Sequence, residues 1–261
     1  MSLVITPSFV AILAVVVIGA GAVNGVAGFG FALVGTMALA TVVDPVTAVV
    51  FMIVPIMAVN LSLVRDLSTE DLRECSRRFS PLMVSALIGT LAGIVLLEHL
   101  PAEPLRVGLG LVTVAFVAVE QQRFPLPGLK TTKERCFVES PTAMIGVGGI
   151  SGLLFGGTNV GVQLVAYLRS CRLPHGLFVG VVAMVFLGLN GVRVVAAGVL
   201  GLYPTSAVFL ASILATVPAA VGVTIGKRAR SRVTESHRRI VVLGLLLVIG
   251  TRLIVGGLGF V

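Results

Sequence analysis

The chain has 261 residues, of which 57% are hydrophobic and only 11% are charged. Soluble domains carry about 25% charged residues, so this composition argues against a soluble enzyme or binding module. The apolar runs are long and continuous, which indicates membrane-spanning helices and not the alternating strands of a β-barrel. The net charge of +8 lies in polar loops, where it marks the cytoplasmic side of a membrane protein rather than a nucleic-acid surface.

The first half begins with an apolar stretch, 8–43, that is too long for one span and is interrupted by glycines at 24–30. We expect two half-length helices on either side of this interruption. Apolar spans, a charged loop and a polar connector are predicted to follow. In chain order they are a span at 44–64, the loop at 65–79, spans at 81–97 and 105–119, and the connector at 120–140.

The second half repeats this order, with a glycine-rich interruption inside the apolar stretch 141–168. Spans are predicted at 174–200, 205–226 and 240–261, and a basic segment at 227–239. The sequence therefore predicts a first membrane repeat at 1–119, a cytoplasmic connector at 120–140 and a second membrane repeat at 141–261.

Glycine and polar positions recur in the same order in the two halves. Asn24-Gly25 falls opposite Ser151-Gly152, and the pair Gly89 and Gly93 falls opposite Gly222 and Gly226. A shared order at a nearly constant offset indicates an internal duplication.

The basic segments at 65–78, 123–135, 169–172 and 227–239 set the topology. Placing all of them in the cytoplasm requires each interrupted stretch to enter and return, with opposite orientation in the two halves. The expected fold is an all-α polytopic bundle of two inverted repeats in the inner membrane, each a broken-helix hairpin plus three spans. Arms of about 12–15 residues cover roughly 18–22 Å of a core near 30 Å thick, so we expect them to end beside a cavity. Strongly tilted arms that span fully are the alternative.

Paired glycine-interrupted segments in a membrane protein point to a substrate site between the repeats. A helix that restarts after the break directs the positive end of its dipole at the gap, which suits an anion. Close helix packing is the alternative role of these glycines. The predicted substrate-binding residues of the two breaks are Asn24, Gly28, Gly30, Ser151, Gly156, Gly157, Thr158 and Asn159.

Three further residues complete the predicted site. Arg252 lies near the middle of the last span, where a cation costs about 2.5–3.5 kcal/mol and needs a partner, such as an anionic substrate. Arg193 follows Asn190 by one turn in the outer half of its span. Gln163 shares a helix face with Tyr167 just after the second break. The alternatives are arginines that extend toward the membrane surface, and core packing for Gln163.

The sequence offers no catalytic or metal centre. No Asp or Glu lies in mid-span, and the three cysteines have no close spacing. We therefore expect no enzyme activity, no catalytic residues, no cofactor and no metal site. Residues 1–20 lack a basic start, so a cleaved signal peptide is not expected.

Two stretches carry a resemblance to a known family. They are 24–32 followed by Asp44-Pro45, and 149–157 followed by Leu173-Pro174. Both resemble the signature stretches of the TauE/SafE sulfite and organosulfonate exporter family, and the resemblance covers most of the chain. It implies export of sulfite or organosulfonates across the cytoplasmic membrane. A lipid-phosphate or other anion translocase is the alternative. The expected partners are a small anion and the bilayer, without nucleic acid, and a homodimer is left open.

Overall fold

A computed structural model describes residues 7–27, 30–64, 68–120, 140–171, 175–230 and 234–259. Within these ranges the regular elements are all helices, and no β-strand is present. The helices are α1 Pro7–Ala27, α2 Phe31–Ala40, α3 Pro45–Val64, α4 Thr69–Arg78, α5 Ser80–His99, α6 Ala102–Glu120, α7 Pro141–Thr158, α8 Val162–Ser170, α9 His175–Val199, α10 Ser206–Leu214, α11 Thr216–Arg230 and α12 Glu235–Gly257.

Four helical segments of the described chain are long and apolar enough to cross a membrane. They are Ser80–His99, Gly180–Val199, Ser206–Ala229 and Ile240–Gly257. Only helices or closed barrels satisfy every backbone polar group inside a bilayer, so these segments identify an all-α polytopic membrane protein. The fold class expected from composition is confirmed. The inverted orientation of the two repeats stays a prediction.

The helices form two compact units, and each unit combines helices from both predicted repeats. The first unit contains α1, α2, α3 as far as Pro55, α6, α10, α11 and α12. The second contains α3 from Ile56 onward, α4, α5, α7, α8 and α9. The repeat boundaries at 1–119 and 141–261 stay a prediction about the sequence.

The first unit is built on direct backbone contact between α1 and α11. A Cβ added at Gly25 would lie 2.3 Å from the carbonyl oxygen of Val223, and one added at Gly226 would lie 2.1 Å from that of Ala22. Membrane helices approach this closely only where glycine or another small residue lines the interface. Gly25 and Gly226 therefore serve helix packing.

The second unit contains an equivalent pair, α5 and α7. A Cβ at Gly152 would lie 2.2 Å from Ala86 O. Side chains on α5 reinforce the contact, because Ser85 Oγ donates to Met144 O at 3.3 Å and Thr90 Oγ1 donates to Gly152 O at 3.3 Å.

The two helix pairs share one contact register. The glycines of α1 contact carbonyls of α11 in the same order in which the glycines of α7 contact carbonyls of α5, and this order makes Gly25 the equivalent of Gly156. Asn24-Gly25 is therefore equivalent to Phe155-Gly156, one turn beyond Ser151-Gly152. The equivalence with Ser151-Gly152 that was expected from the sequence is wrong. The contacts are Gly21 with Ala219, Gly25 with Val223, Gly152 with Ala86 and Gly156 with Thr90.

The second glycine-rich run lies inside α7, and the interruption comes after it, whereas α1 continues through Gly25 to Ala27 and Gly30 lies between α1 and α2. α1 has 21 residues and α7 has 18, whereas α2 has 10 and α8 has 9. The expectation of arms of about 12–15 residues is therefore wrong. At 1.5 Å per residue the long arms cover roughly 32 and 27 Å, and the short arms roughly 14–15 Å. Glycine costs about 1 kcal/mol in a helix interior, and the close packing that it permits offsets this cost.

A short helix occupies most of the segment predicted as a charged loop. In α4, Cys75 is buried, as is Phe79 just beyond its end, whereas Arg73 and Arg77 are exposed. Residues four apart lie on one face of a helix, so this segment is amphipathic and packs through its apolar face. A loop was predicted here because the segment has many charged residues.

Two prolines shape the helices of the first unit. Pro218 has no amide hydrogen to donate to Leu214 O, and the predicted span 205–226 is divided at Ala215 into α10 and α11. Pro55 lies inside α3 and leaves Phe51 O without its helical donor. The buried Ser212 Oγ donates to that oxygen at 2.6 Å.

Candidate functional site

The site is centred on Arg193 of α9, whose side chain is 0% exposed. Its Nη1 donates to Asn159 Oδ1, and also to Asn190 Oδ1 at 3.2 Å. Its Nη2 donates to the carbonyl oxygen of Gly156 at 3.0 Å. The guanidinium carbon lies 4.9 Å from the centroid of the Phe155 ring. The guanidinium of α9 is therefore bound to the C-terminal end of α7.

Residues of α9 fix the position of the guanidinium. Asn190 precedes Arg193 by one turn, and its Nδ2 donates to Phe186 O at 2.8 Å, which turns Oδ1 toward the arginine. The rings of Phe155 and Phe186 pack with their centroids 5.0 Å apart. A Cβ at Gly161 would lie 2.3 Å from Phe186 Cε1, so this ring lies directly on the backbone of the break.

The second break is stabilised by local hydrogen bonds. Asn159 ends α7 in the left-handed conformation, with φ 61°, and its N–H donates to Phe155 O at 3.0 Å. The hydroxyl of Thr158 donates to Leu154 O at 2.6 Å and accepts from the N–H of Val160 at 3.1 Å. α8 then begins at Val162.

The end of α7 supplies a physical reason for an arginine here. The last four carbonyls of a helix have no helical donor, and the C-terminal end carries partial negative charge. Gly156 O is one of these carbonyls, and Arg193 donates to it. A cation over the face of Phe155 is stabilised further by the ring quadrupole.

The electrostatics of this cluster favour an anion. The acceptors on Gly156, Asn159 and Asn190 are all neutral oxygens, and they receive the two Nη groups of a group that carries a full positive charge. Two Nη groups in one plane match two oxygens of an oxyanion.

The first break is built differently. Its residue Gly28 lies outside the described residues, and Gly30 precedes α2 with φ 100°, which favours glycine. The Asn24 side chain, on α1, accepts from the N–H of Phe31 at 3.4 Å. Asn24 therefore supplies an acceptor to the first turn of α2, a role similar to that of a capping residue.

The other predicted residues are distributed across the two units. Ser151 is buried inside α7, away from its end, and Gly157 lies one residue beyond Gly156. Gln163 is on the first turn of α8, and its buried Oε1 has no hydrogen-bond partner within the described ranges. Arg252 is exposed on α12 of the first unit.

Three of the predicted residues contact one another: Gly156, Asn159 and Arg193. Thr158 and Gly157 adjoin them in the chain, and Asn24, Gly30 and Arg252 belong to the other unit. Phe155 and Asn190 also belong to the cluster and were not predicted as site residues. The three-residue spacing from Asn190 to Arg193 is a signal that could have found Asn190.

No group of three or more His, Cys, Asp or Glu side chains that could hold a metal occurs in the described part of the chain. The chain matches neither a curated protein nor a solved structure. The family model described as Sulfite exporter TauE/SafE matches residues 13–253. This match covers nearly the whole chain and confirms the resemblance carried by its two glycine-rich stretches. The protein therefore belongs to the TauE/SafE sulfite exporter family of membrane transporters.

Proposed function

We propose that this protein exports a small sulfur-containing anion, sulfite or an organosulfonate, across the cytoplasmic membrane, and that Arg193 is the main cation of its site. The observation that carries the proposal is the fully buried guanidinium held by three neutral oxygens at the end of α7. Family membership supports a transporter, and the cluster supports an anion as its cargo.

The chemistry of sulfite and sulfonates suits this cluster. Their oxygens accept hydrogen bonds without offering a proton, and they can receive two parallel N–H donors from one guanidinium. The Phe155 ring lies beside Arg193 and packs on the Phe186 ring, so the two rings form an apolar wall. Such a wall favours an anion with a short apolar group, so an organosulfonate fits better than sulfate.

The rest of the mechanism is proposed on the pattern of inverted-repeat transporters. The two repeats rock around the site and expose it alternately to the two sides of the membrane. Ser151, Gly157, Thr158 and Gln163 belong to the same unit as Arg193 and complete the proposed lining. Asn24, Gly28 and Gly30 of the first break, and Arg252 as a second candidate cation, stay predictions from the sequence.

Ligand binding by variants of the two arginines tests the site. Purified protein in detergent is titrated with sulfite, taurine, sulfoacetate and sulfate, followed by calorimetry or by the rise in melting temperature. Arg193→Lys keeps the charge and loses the planar pair of donors, so we expect affinity to fall at least about tenfold, or roughly 1.4 kcal/mol.

Arg252→Ala is the matched comparison, because this side chain is exposed. If Arg252→Ala loses binding and Arg193→Lys binds like the wild type, the cation of the site is Arg252 on α12 and not Arg193. Equal binding in both variants and the wild type would remove both arginines from the site.

A second candidate function, translocation of a lipid phosphate, is favoured by one observation. The first unit holds a cavity of about 440 Å³ lined almost entirely by apolar side chains, among them Leu13, Leu39, Phe51 and Leu214. An apolar cavity suits an acyl chain better than a small sulfonate. Lipid phosphates therefore belong in the same ligand screen.

A further inference from the structure

We infer that α4 binds the phosphate headgroup of an anionic bilayer lipid through Arg73 and Arg77, at the point where the chain enters the membrane-spanning helix α5. The inference goes beyond the proposed function and does not depend on which anion is transported. It assigns a ligand to a segment that was predicted from the sequence only as a charged loop.

α4 ends directly beside a membrane-spanning segment. Its last residue is Arg78, and the candidate span Ser80–His99 begins two residues later. The hydroxyl of Ser80 donates to Arg77 O at 2.9 Å, so the end of α4 is hydrogen-bonded to the first residue of the span. The last turn of α4 therefore lies at the depth of the lipid headgroups, which flank the hydrocarbon core of a bilayer.

The charges of α4 are separated along the helix axis. Glu70 and Asp71 are its second and third residues, whereas Arg77 and Arg78 lie in its last turn. Arg73 precedes Arg77 by four residues, so the two lie on one face of the helix, and both side chains are exposed. The end of α4 next to the span is therefore its basic end, which is complementary to an anionic headgroup.

The chemistry of arginine suits a phosphate. Two guanidinium groups one turn apart can each give two parallel N–H donors to phosphate oxygens. The segment 73–78 contains three arginines and one glutamate, Glu74, so its net charge is +2. The guanidinium carbon of Arg78 lies 5.3 Å from the centroid of the Phe79 ring. We therefore assign the headgroup contact to Arg73 and Arg77.

The opposite face of α4 is fixed in the core of the second unit. Cys75 is 3% exposed, and Phe79, just beyond the end of the helix, is 0% exposed. Both belong to one buried cluster with Tyr167 and Leu168 of α8. Because its apolar face is packed in this way, α4 presents its arginines in a fixed orientation.

The same packing connects the lipid to the short helix that follows the second break. A lipid bound to the exposed face of α4 stabilises the packing of Cys75 and Phe79 with α8, because a ligand that binds the packed state favours that state. The buried thiol of Cys75 reports this effect, since it reacts with a maleimide only when the packing opens.

The test measures the rate at which N-ethylmaleimide alkylates Cys75 in lipid nanodiscs. Cys136→Ser and Cys171→Ser are present in every variant, so that Cys75 is the single thiol. Nanodiscs of phosphatidylcholine are compared with nanodiscs that also contain phosphatidylglycerol. An arginine near an anionic surface contributes roughly a fivefold change in an equilibrium, so we expect the anionic nanodiscs to slow alkylation at least about fivefold.

Paired substitutions on α4 separate this site from the general charge of the protein. Arg73→Gln with Arg77→Gln should abolish the difference between the two kinds of nanodisc. Arg73→Lys with Arg77→Lys should retain most of it, because lysine keeps the positive charge. Lys227→Gln is the matched control, since it removes an exposed cation on α11 in the first unit, and it should keep the wild-type difference.

Equal alkylation rates of the wild type in the two kinds of nanodisc would overturn the inference. Slower alkylation in anionic nanodiscs that persists in the double glutamine variant would overturn it as well, because the effect would then come from charge elsewhere. Protection of Cys75 by free inorganic phosphate in phosphatidylcholine nanodiscs would overturn the lipid as the ligand. The proposed function is tested separately, by the anion titrations of the Arg193 and Arg252 variants.

Discussion

A single hydroxyl compensates for the proline inside α3. Pro55 leaves Phe51 O without a helical donor, and Ser212 Oγ on α10 donates to it at 2.6 Å. Both groups lie in the first unit, and Ser212 is fully buried. One side chain therefore satisfies a buried carbonyl and joins α3 to α10.

Removal of this hydroxyl should destabilise the protein unless the proline is removed as well. Ser212→Ala leaves Phe51 O buried without its donor, which costs about 1–3 kcal/mol. Pro55→Ala restores an amide hydrogen to the helix, so the double variant should be more stable than Ser212→Ala alone. Unfolding can be followed with a thiol-reactive dye, because Cys75 and Cys171 are buried and the chain has no tryptophan.

This account is contradicted if the Ser212→Ala variant, which keeps Pro55, has the same melting temperature as the wild type. The double-variant cycle measures the coupling directly, since the two positions act on the same oxygen.

Three residues of the cluster could be predicted from the sequence, but Phe155, Asn190 and the contacts among all five could not. Glycine breaks and intramembrane arginines are visible in the sequence, and they led to Gly156, Asn159 and Arg193. The stacking of Arg193 on Phe155 depends on the placement of α9 against α7, which no local pattern encodes. Position in mid-span also does not reveal which helix face a residue occupies, and Arg252 is exposed where an enclosed site was expected.

At the scale of helices, the glycines of α7 divide into two kinds. A Cβ at Gly152 would meet the backbone of α5 at 2.2 Å, whereas one at Gly149 would have nothing within 4 Å. The two residues lie on the same helix and differ only in the face that they occupy. They therefore form a matched pair for testing helix contact.

Gly152→Ala should lower the melting temperature, because backbone atoms of α5 and α7 must separate, at a cost of about 1–3 kcal/mol or more. Gly149→Ala should leave stability unchanged or raise it by up to about 1 kcal/mol, since alanine favours the helix. Thermal unfolding of both variants in detergent, followed by the thiol dye, checks the contrast. Equal melting temperatures would contradict the direct backbone contact.

Helix positions were predictable wherever hydropathy alone decides them, and α3, α5, α6 and α9 agree with the predicted spans to within a few residues. The helix ends near glycine and proline were not predictable. Gly21 and Gly25 remain helical because α11 packs on them, and the span after Thr205 divides because Pro218 removes a donor. Packing against another helix therefore explains the helical glycines, and the missing amide hydrogen of proline explains the divided span.

At the scale of the molecule, each compact unit pairs a long arm from one half of the sequence with a helix from the other half. α1 packs on α11 and α7 packs on α5, in the same glycine register. The equivalent register in both units supports the proposed duplication. Neither long arm is packed against helices of its own half alone, so each compact unit contains helices from both halves of the sequence.

The topology predicted from loop charge can be tested by labelling at two exposed positions. Glu98 lies at the end of α5 and Arg228 near the end of α11, and both are exposed. Basic segments remain in the cytoplasm, so Arg228→Cys should react with a membrane-impermeant maleimide only after permeabilisation. Glu98→Cys should react in intact cells, since its loop lacks the basic cluster.

The labelling uses a chain in which Cys75, Cys136 and Cys171 are replaced by serine, so that each engineered thiol reports alone. Intact cells and permeabilised cells are compared at equal protein, with total labelling in denaturant as the reference. Reaction of both positions from the same side would contradict the placement of all four basic segments in the cytoplasm. It would also remove the charge argument for opposite orientation of the repeats, because that argument depends on every basic segment lying on one side.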